Sequence, residues 1–192
     1  HSMDATIGRK TKKLWLFAGT GDMNNLVDKR TSVNNILLGI ADKDFPKYKN
    51  PVPTGNPPQP PTIKNLLSNC VNTANQVSPN CIDITTAGQF GKIGWYIELE
   101  DAKKVTAEPT VAGGVVYFPV YKPPADLCDL GPATMCAVDD ECGTNLSSGL
   151  GSNSNDDQCH YVGKGILSKI VAFDGKSYAN IACEADGGKD LI

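Results

Sequence analysis

The sequence predicts an all-β fold, and three observations carry that expectation. Ile93, Trp95, Ile97 and Leu99 alternate with Gly94, Tyr96 and Glu98, the period-two pattern of a strand with one better-buried face. In the next apolar run Val115, Tyr117 and Tyr121 fall on one side and Val116, Phe118 and Val120 on the other. Both sides are apolar, so that strand is expected to be covered on both faces, as strands inside packed sheets are. Gly113-Gly114 and Asp174-Gly175 are turn dipeptides that feed or join such runs.

The remaining elements follow in chain order. His1-Ser2-Met3 reads as an expression scar and is set aside, leaving 4–192 as a single domain or fragment. Leu14 to Ala18 is an apolar run ended by Gly19-Thr20-Gly21-Asp22, hence a buried strand and a turn. Ile36 to Ile40 repeats the pattern. Between them, residues 22–35 are polar, and Leu26, Val27 and Val33 are too scattered for a helical stripe. Gly19-x-Gly21 with an acid some twenty positions on evokes a dinucleotide fingerprint, but Asn24 stands where the third glycine is needed and no crossover helix follows. A turn between strands is the better reading.

Residues 46–61 hold seven of the thirteen prolines, so 43–62 is expected to be an extended, semi-rigid loop. Pro61 to Leu67 is expected to open a short helix with Ile63, Leu66 and Leu67 on one face, and Cys81 to Thr85 a short strand. Glu100 to Lys104 is a charged link that changes direction. Residues 143–158 are small and polar and form an expected exposed loop. Ile166 to Phe173 and Tyr178 to Ile181 then make a hairpin about Asp174-Gly175, and the tail from Glu184 is expected to fray.

Charge and cysteine usage bound the function. Net charge is −3, no basic run longer than Lys12-Lys13 stands out, and nucleic acid is a poor partner on electrostatic grounds. No apolar run approaches the roughly 18 residues of a membrane span. Seven cysteines without CxxC spacing point to disulfides in an oxidising compartment rather than to a metal cluster. The candidates are Cys70, Cys81, Cys128, Cys136, Cys142 and Cys159. Sequence-local pairing would join Cys70 to Cys81, Cys128 to Cys136 and Cys142 to Cys159, leaving Cys183 over, although spacing does not fix connectivity.

Catalytic chemistry finds little support. His160 is the one histidine outside the scar, and it has no placed nucleophile partner. Asp139, Asp140 and Glu141 cluster, and like-charged loop residues are expected to face water. Asn153-x-Asn155-x-Asp157 places oxygen ligands at alternate positions, as calcium loops do. Gln158 and Lys164 then occupy positions that such a loop needs for other residues, so a neutral polar loop is preferred to a calcium site.

One resemblance organises these pieces. Trp95 to Leu99, the charged link, "EPTVAGGVVYFPVYKP", Cys128 and "CAVDDECG" resemble the C-terminal β-propeller of the PilY family, secreted proteins of type IV pili associated with the pilus tip. "KLWLFAGTGD" and "GKGILSKIVAFDG" look like neighbouring blade segments of that module. The resemblance implies a partial or reduced β-propeller, three or four blade-like antiparallel sheets with long loops, since roughly 40–45 residues make a blade. It implies an exported piece of a longer chain, at the cell surface, acting in adhesion or pilus assembly through its loops. Partners would be pilus components or a surface, and uncovered terminal sheets would invite self-association. The family's aspartate-rich calcium repeat is absent. The alternatives are a quinoprotein-like enzyme, whose stacking aromatic and axial calcium site find no place here, and a structural connector.

Overall fold

The computed structural model describes residues 2–29, 34–42, 45–46, 94–126, 129–143 and 159–182, with 66–68 as backbone alone. The strands are β1 (Asp4–Ile7), β2 (Leu14–Gly19), β3 (Asn35–Ala41), β4 (Leu66–Ser68), β5 (Gly94–Leu99), β6 (Lys104–Val105) and β7 (Thr110–Ala112). They continue with β8 (Val115–Tyr121), β9 (Pro132–Asp139), β10 (Cys159–Lys164), β11 (Ile166–Leu167), β12 (Val171–Phe173), β13 (Lys176–Tyr178) and β14 (Ile181–Ala182). Among the described residues there is no helix, and the protein is all-β.

Two five-stranded sheets form the body. The first runs β1-β2-β3-β5-β4, and the second runs β10-β9-β8-β6 with β7 also paired to β8. Every pairing is antiparallel except that of β4 with β5. Two small sheets, β11–β14 and β12–β13, complete the fold. The expected helix over 61–67 is corrected at its end: Leu66 and Leu67 lie in β4, in register with Gly94 and Trp95. Three residues of leucine-rich sequence do not distinguish helix from strand, and the open edge of β5 decides for the strand.

The core lies between the two large sheets. Trp15, Phe17, Leu37, Trp95, Ile97 and Leu99 come from the first, and Val105, Val116, Phe118, Val120, Cys136 and Val138 from the second. Cross-strand register explains the fit: Phe17, Gly39 and Trp95 stand side by side on β2, β3 and β5. A Cβ on Gly39 would come within 2.5 Å of the Trp95 indole, so the bare backbone there makes room for the largest side chain. A chain of rings crosses the core, with centroids 6.4 Å apart for Trp15–Phe17, 6.2 Å for Phe17–Trp95 and 6.4 Å, edge to face, for Trp95–Phe118.

The second sheet is covered twice, as its sequence predicts. Beyond the core face, Ala133, Met135, Ala137 and Tyr121 are also buried, and β11 packs against β8 and β9 with Leu167 and Ile170 fully enclosed. Thr106 Oγ1 donates to Leu167 O at 3.0 Å and Thr110 Oγ1 to Ile170 O, fixing that layer. The strand over 95–99 differs. Its second face is only partly covered at Tyr96 and open at Glu98.

Turns close the strands with left-handed backbone. Gly113 and Gly114 have φ of 63° and 91°, and Asp174 and Gly175 have 49° and 73°, the two positive values that a two-residue hairpin of primed type requires. The expected strand over 166–173 is broken in two. Ile166–Leu167 pairs with β14, while Val171–Phe173 pairs with β13, because Ser168 O–H and backbone tie to Lys169 and Asn180 in between.

Candidate functional site

Three chain reversals meet at one place on the body: the loop from Gly8 to Lys13 between β1 and β2, the Gly113-Gly114 turn, and the turn that follows β9. Asp139 opens the last of these. Its Oδ1 accepts the N–H groups of Glu141 at 3.0 Å and Cys142 at 2.9 Å, and its carbonyl accepts the Gly143 N–H at 2.8 Å. An aspartate satisfying the amides two and three residues on is a common way to start a tight reversal. Asp140 N–H then donates to Gly114 O at 3.1 Å, joining the second turn.

Glu141 joins the third. It is 2 % exposed, and its two carboxylate oxygens accept the backbone N–H of Lys10 at 2.7 Å and of Thr11 at 2.6 Å. The loop also holds itself: Gly8 N–H donates to Lys13 O at 2.8 Å and Lys12 N–H to Gly8 O at 3.0 Å. A Cβ on Gly8 would come within 2.7 Å of Glu141 Oε2, so the carboxylate sits where a side chain would be. Both core indoles are anchored here. Trp15 Nε1 donates to Thr11 Oγ1 at 2.9 Å and Trp95 Nε1 to Asp140 O at 3.1 Å.

The electrostatics follow from these partners. Burial pushes the Glu141 carboxyl up, but the amides of Lys10 and Thr11 and the Thr11 hydroxyl outweigh it and leave it below the usual range. Asp140 has no such compensation: burial, then the charges of Asp139 and Glu141, raise it, with Arg9 opposing. The Cys142 thiol is pushed up to about 11 by burial and by Asp139, which leaves it protonated and unreactive at neutral pH. The expectation that Asp139, Asp140 and Glu141 face water is therefore corrected. Glu141 is buried because the loop between β1 and β2 supplies backbone donors from 130 and 131 residues away, and Asp140 because its own backbone pairs with Gly114 and Trp95, which no local charge pattern reveals.

Cationic side chains cover the outside of this knot. Arg9, Lys10 and Lys12 are exposed, and Lys13 Nζ donates to Phe45 O at 3.4 Å. Counting uninterrupted runs finds nothing longer than a pair such as Lys12-Lys13. A tally over the whole loop, with Thr11 as its one interruption between Arg9 and Lys13, would have found four cations in five positions.

The cysteines pair differently from the sequence-local scheme. Cys136 is bonded to Cys159, with Cα atoms 3.8 Å apart, and Cys142 is a buried thiol outside that bridge. The pairs Cys142–Cys159 and Cys128–Cys136 are thus corrected. Register is the reason: Cys136 on β9 stands directly opposite Cys159 on β10, on the core face beside Phe118. His160, next along β10, is exposed opposite Met135. Asn153, Asn155 and Asp157 lie outside the described residues, as do Cys70, Cys81, Cys128, Cys183 and nearly all of the loops at 43–62 and 143–158. Among the described residues no group of three His, Cys, Asp or Glu side chains is arranged to hold a metal ion.

Comparison with known proteins adds a likeness of fold. No family model and no curated protein matches the sequence. Among solved structures, the fold is similar to the crystal structure of the Pseudomonas aeruginosa PilY1 C-terminal domain, with a TM-score of 0.57 and 15% sequence identity. That likeness covers 95% of this chain and 43% of the other, so the chain spans less than half the length of the protein it resembles.

Proposed function

We propose that this chain is an exported module of a type IV pilus-associated protein, working in surface adhesion or pilus assembly by contact rather than by turnover. The observation that carries the reading is the fold likeness to the PilY1 C-terminal domain over 95% of the chain. The sequence blocks around Trp95–Leu99, Val115–Tyr121 and Cys136–Cys142 resemble the same family, an independent route to the same place. The Cys136–Cys159 bridge fits passage through an oxidising compartment, such as the periplasm on the way to the cell surface. No helix of the described residues is long and apolar enough to cross a membrane, and pilus components or an external surface are the partners proposed.

Deleting residues 4–192 in frame from the parent gene tests the reading. Fewer surface pili by electron microscopy, or weaker attachment at normal pilus number, is the expected result. Piliation and attachment both equal to wild type, with the truncated parent still displayed, would overturn it.

A further inference from the structure

Two turns of the described chain set an aspartate on left-handed backbone ahead of a small residue, and they are held differently. At Asp101-Ala102, with φ of 59° and 57°, Lys122 Nζ donates to the Asp101 carboxylate at 2.8 Å and Ala102 is buried. Asp174-Gly175, with φ of 49° and 73°, has neither restraint. Both residues are exposed, and no hydrogen bond or ion pair among the described residues engages the Asp174 carboxylate. A Cβ on Gly175 would meet nothing within 4 Å, so the space around its amide is open. The hairpin around this turn is also thin. β12 and β13 have three residues each, paired at three positions, and Val171, Phe173 and Tyr178 stand in solvent. A two-stranded ribbon with its apolar face uncovered is marginal in water, so it opens locally at far lower cost than the core.

An aspartate followed by glycine carries an electrophilic carboxyl carbon beside an amide nitrogen that no side chain shields. We propose that Asp174-Gly175 is a site of spontaneous aspartate isomerisation, reached when the hairpin opens. The Gly175 amide nitrogen attacks Cγ of the protonated Asp174 carboxyl. A C–N bond forms, and a carboxyl oxygen leaves as water with the amide and carboxyl protons, which closes a cyclic imide. Water then adds to one of the two ring carbonyls. Addition at Cγ breaks the new bond and restores aspartate. Addition at the Asp174 backbone carbonyl breaks its bond to the Gly175 nitrogen and leaves the main chain running through Cβ and Cγ, as isoaspartate. One water leaves, one returns, and nothing is oxidised or reduced. The product does not fit the turn, because it adds a methylene to a two-residue loop whose geometry needs left-handed backbone at both positions. Phe173 and Lys176 are the first pair to lose register, while the core between the large sheets keeps its packing. The age of the molecule is thereby written into one surface hairpin. The inference does not depend on the pilus reading and survives its failure.

Ageing the full chain for several weeks in neutral buffer made with heavy-oxygen water tests it, read by proteolysis and electron-transfer fragmentation, which separates isoaspartate from aspartate. Isoaspartate is expected at Asp174 at least tenfold faster than at Asp101, and the converted residue should carry an oxygen from the labelled water. Gly175→Asn, which tolerates left-handed backbone but shields the nitrogen, is expected to slow conversion fivefold or more. Asp174→Asn should reach the same imide faster, with loss of ammonia in place of water. Four outcomes overturn the proposal: no isoaspartate at Asp174 in the chain while a synthetic peptide of residues 169–181 converts, equal rates at Asp174 and Asp101, isoaspartate without the label, or no slowing in Gly175→Asn.

Discussion

The hairpins β7–β8 and β12–β13 are built alike and end differently. Each turns on two left-handed residues, Gly113-Gly114 in one and Asp174-Gly175 in the other, and each carries bulky apolar side chains on one face. In the first, Val116 and Phe118 are fully buried. In the second, Val171 and Tyr178 stand opposite each other with Phe173 two residues on, and these are 56%, 41% and 72% exposed. The difference is not propensity but neighbours. β8 has β9 on one side, β6 and β7 on the other, and a second sheet across the core. β12 has β13 and lies against β7, and only the small residues Ala172 on β12 and Ser177 on β13 are half-buried. A strand's apolar face contributes only what a second layer gives it.

The sharpest test of that contrast is Phe118→Ala against Phe173→Ser. Phe118 fills the core between Trp95 and the Cys136 strand, and its loss is expected to destabilise by about 3–5 kcal/mol in chemical denaturation. Next in size is removal of the bridge that holds the outer strand of the same sheet. The Cys136→Ser, Cys159→Ser double variant closes no 23-residue loop and should lose roughly 3 kcal/mol, with peptide mapping of the non-reduced wild type recovering the Cys136–Cys159 linkage. Recovery of a Cys142–Cys159 peptide instead would break the register that places Cys136 opposite Cys159. At the other end of the scale, Phe173→Ser is expected to change stability by about 0.5 kcal/mol or less, since it removes nothing from a core.

Between these extremes lies Glu141→Gln, which keeps the shape of the clamp but removes its charge. Two charge-assisted hydrogen bonds weaken, and about 2 kcal/mol of stability should go at neutral pH. The pH dependence has a definite sign. The Glu141 carboxyl is lowered in the folded protein, so its contribution is complete above the unfolded value of about 4.3 and fades as pH falls through the folded one. The gap between wild type and variant should therefore narrow in acid. Asp140 is raised and behaves oppositely, favouring the fold below the unfolded carboxylate range and losing that contribution as pH rises through its raised value. Asp140→Asn should gain on wild type as pH climbs from 4 to 7 in urea midpoints. A gap for Glu141→Gln that stays constant to pH 3 would show that the two amides are not what holds the loop.

What the sequence made legible was whatever depends on nearest neighbours along the chain. The alternation of Trp95, Ile97 and Leu99 marked both β5 and its buried face, and the double-sided run from Val115 to Tyr121 marked the strand with two covered faces. The two turn dipeptides were legible because positive φ restricts residue choice. Leu66 and Leu67 were misread because three residues carry no period, and only the edge of β5 makes them a strand. The bridge was misread because spacing ranked Cys142 nearer to Cys159, whereas strand register favours Cys136. The acidic knot was the largest miss. Asp139, Asp140 and Glu141 look solvated in sequence, and the amides that bury Glu141 lie 130 and 131 residues away. The fold class was thus local information, and the candidate site was not.

The two indoles give the molecule a built-in optical asymmetry. Trp15 and Trp95 are its only tryptophans, both are buried in one core, and each donates its N–H to the knot formed by Thr11 and Asp140. Tryptophan emission, excited selectively, therefore reports on that end alone. Loosening the Glu141 clamp should shift it to longer wavelength before the sheets separate, while any event confined to the β12–β13 hairpin passes in the dark.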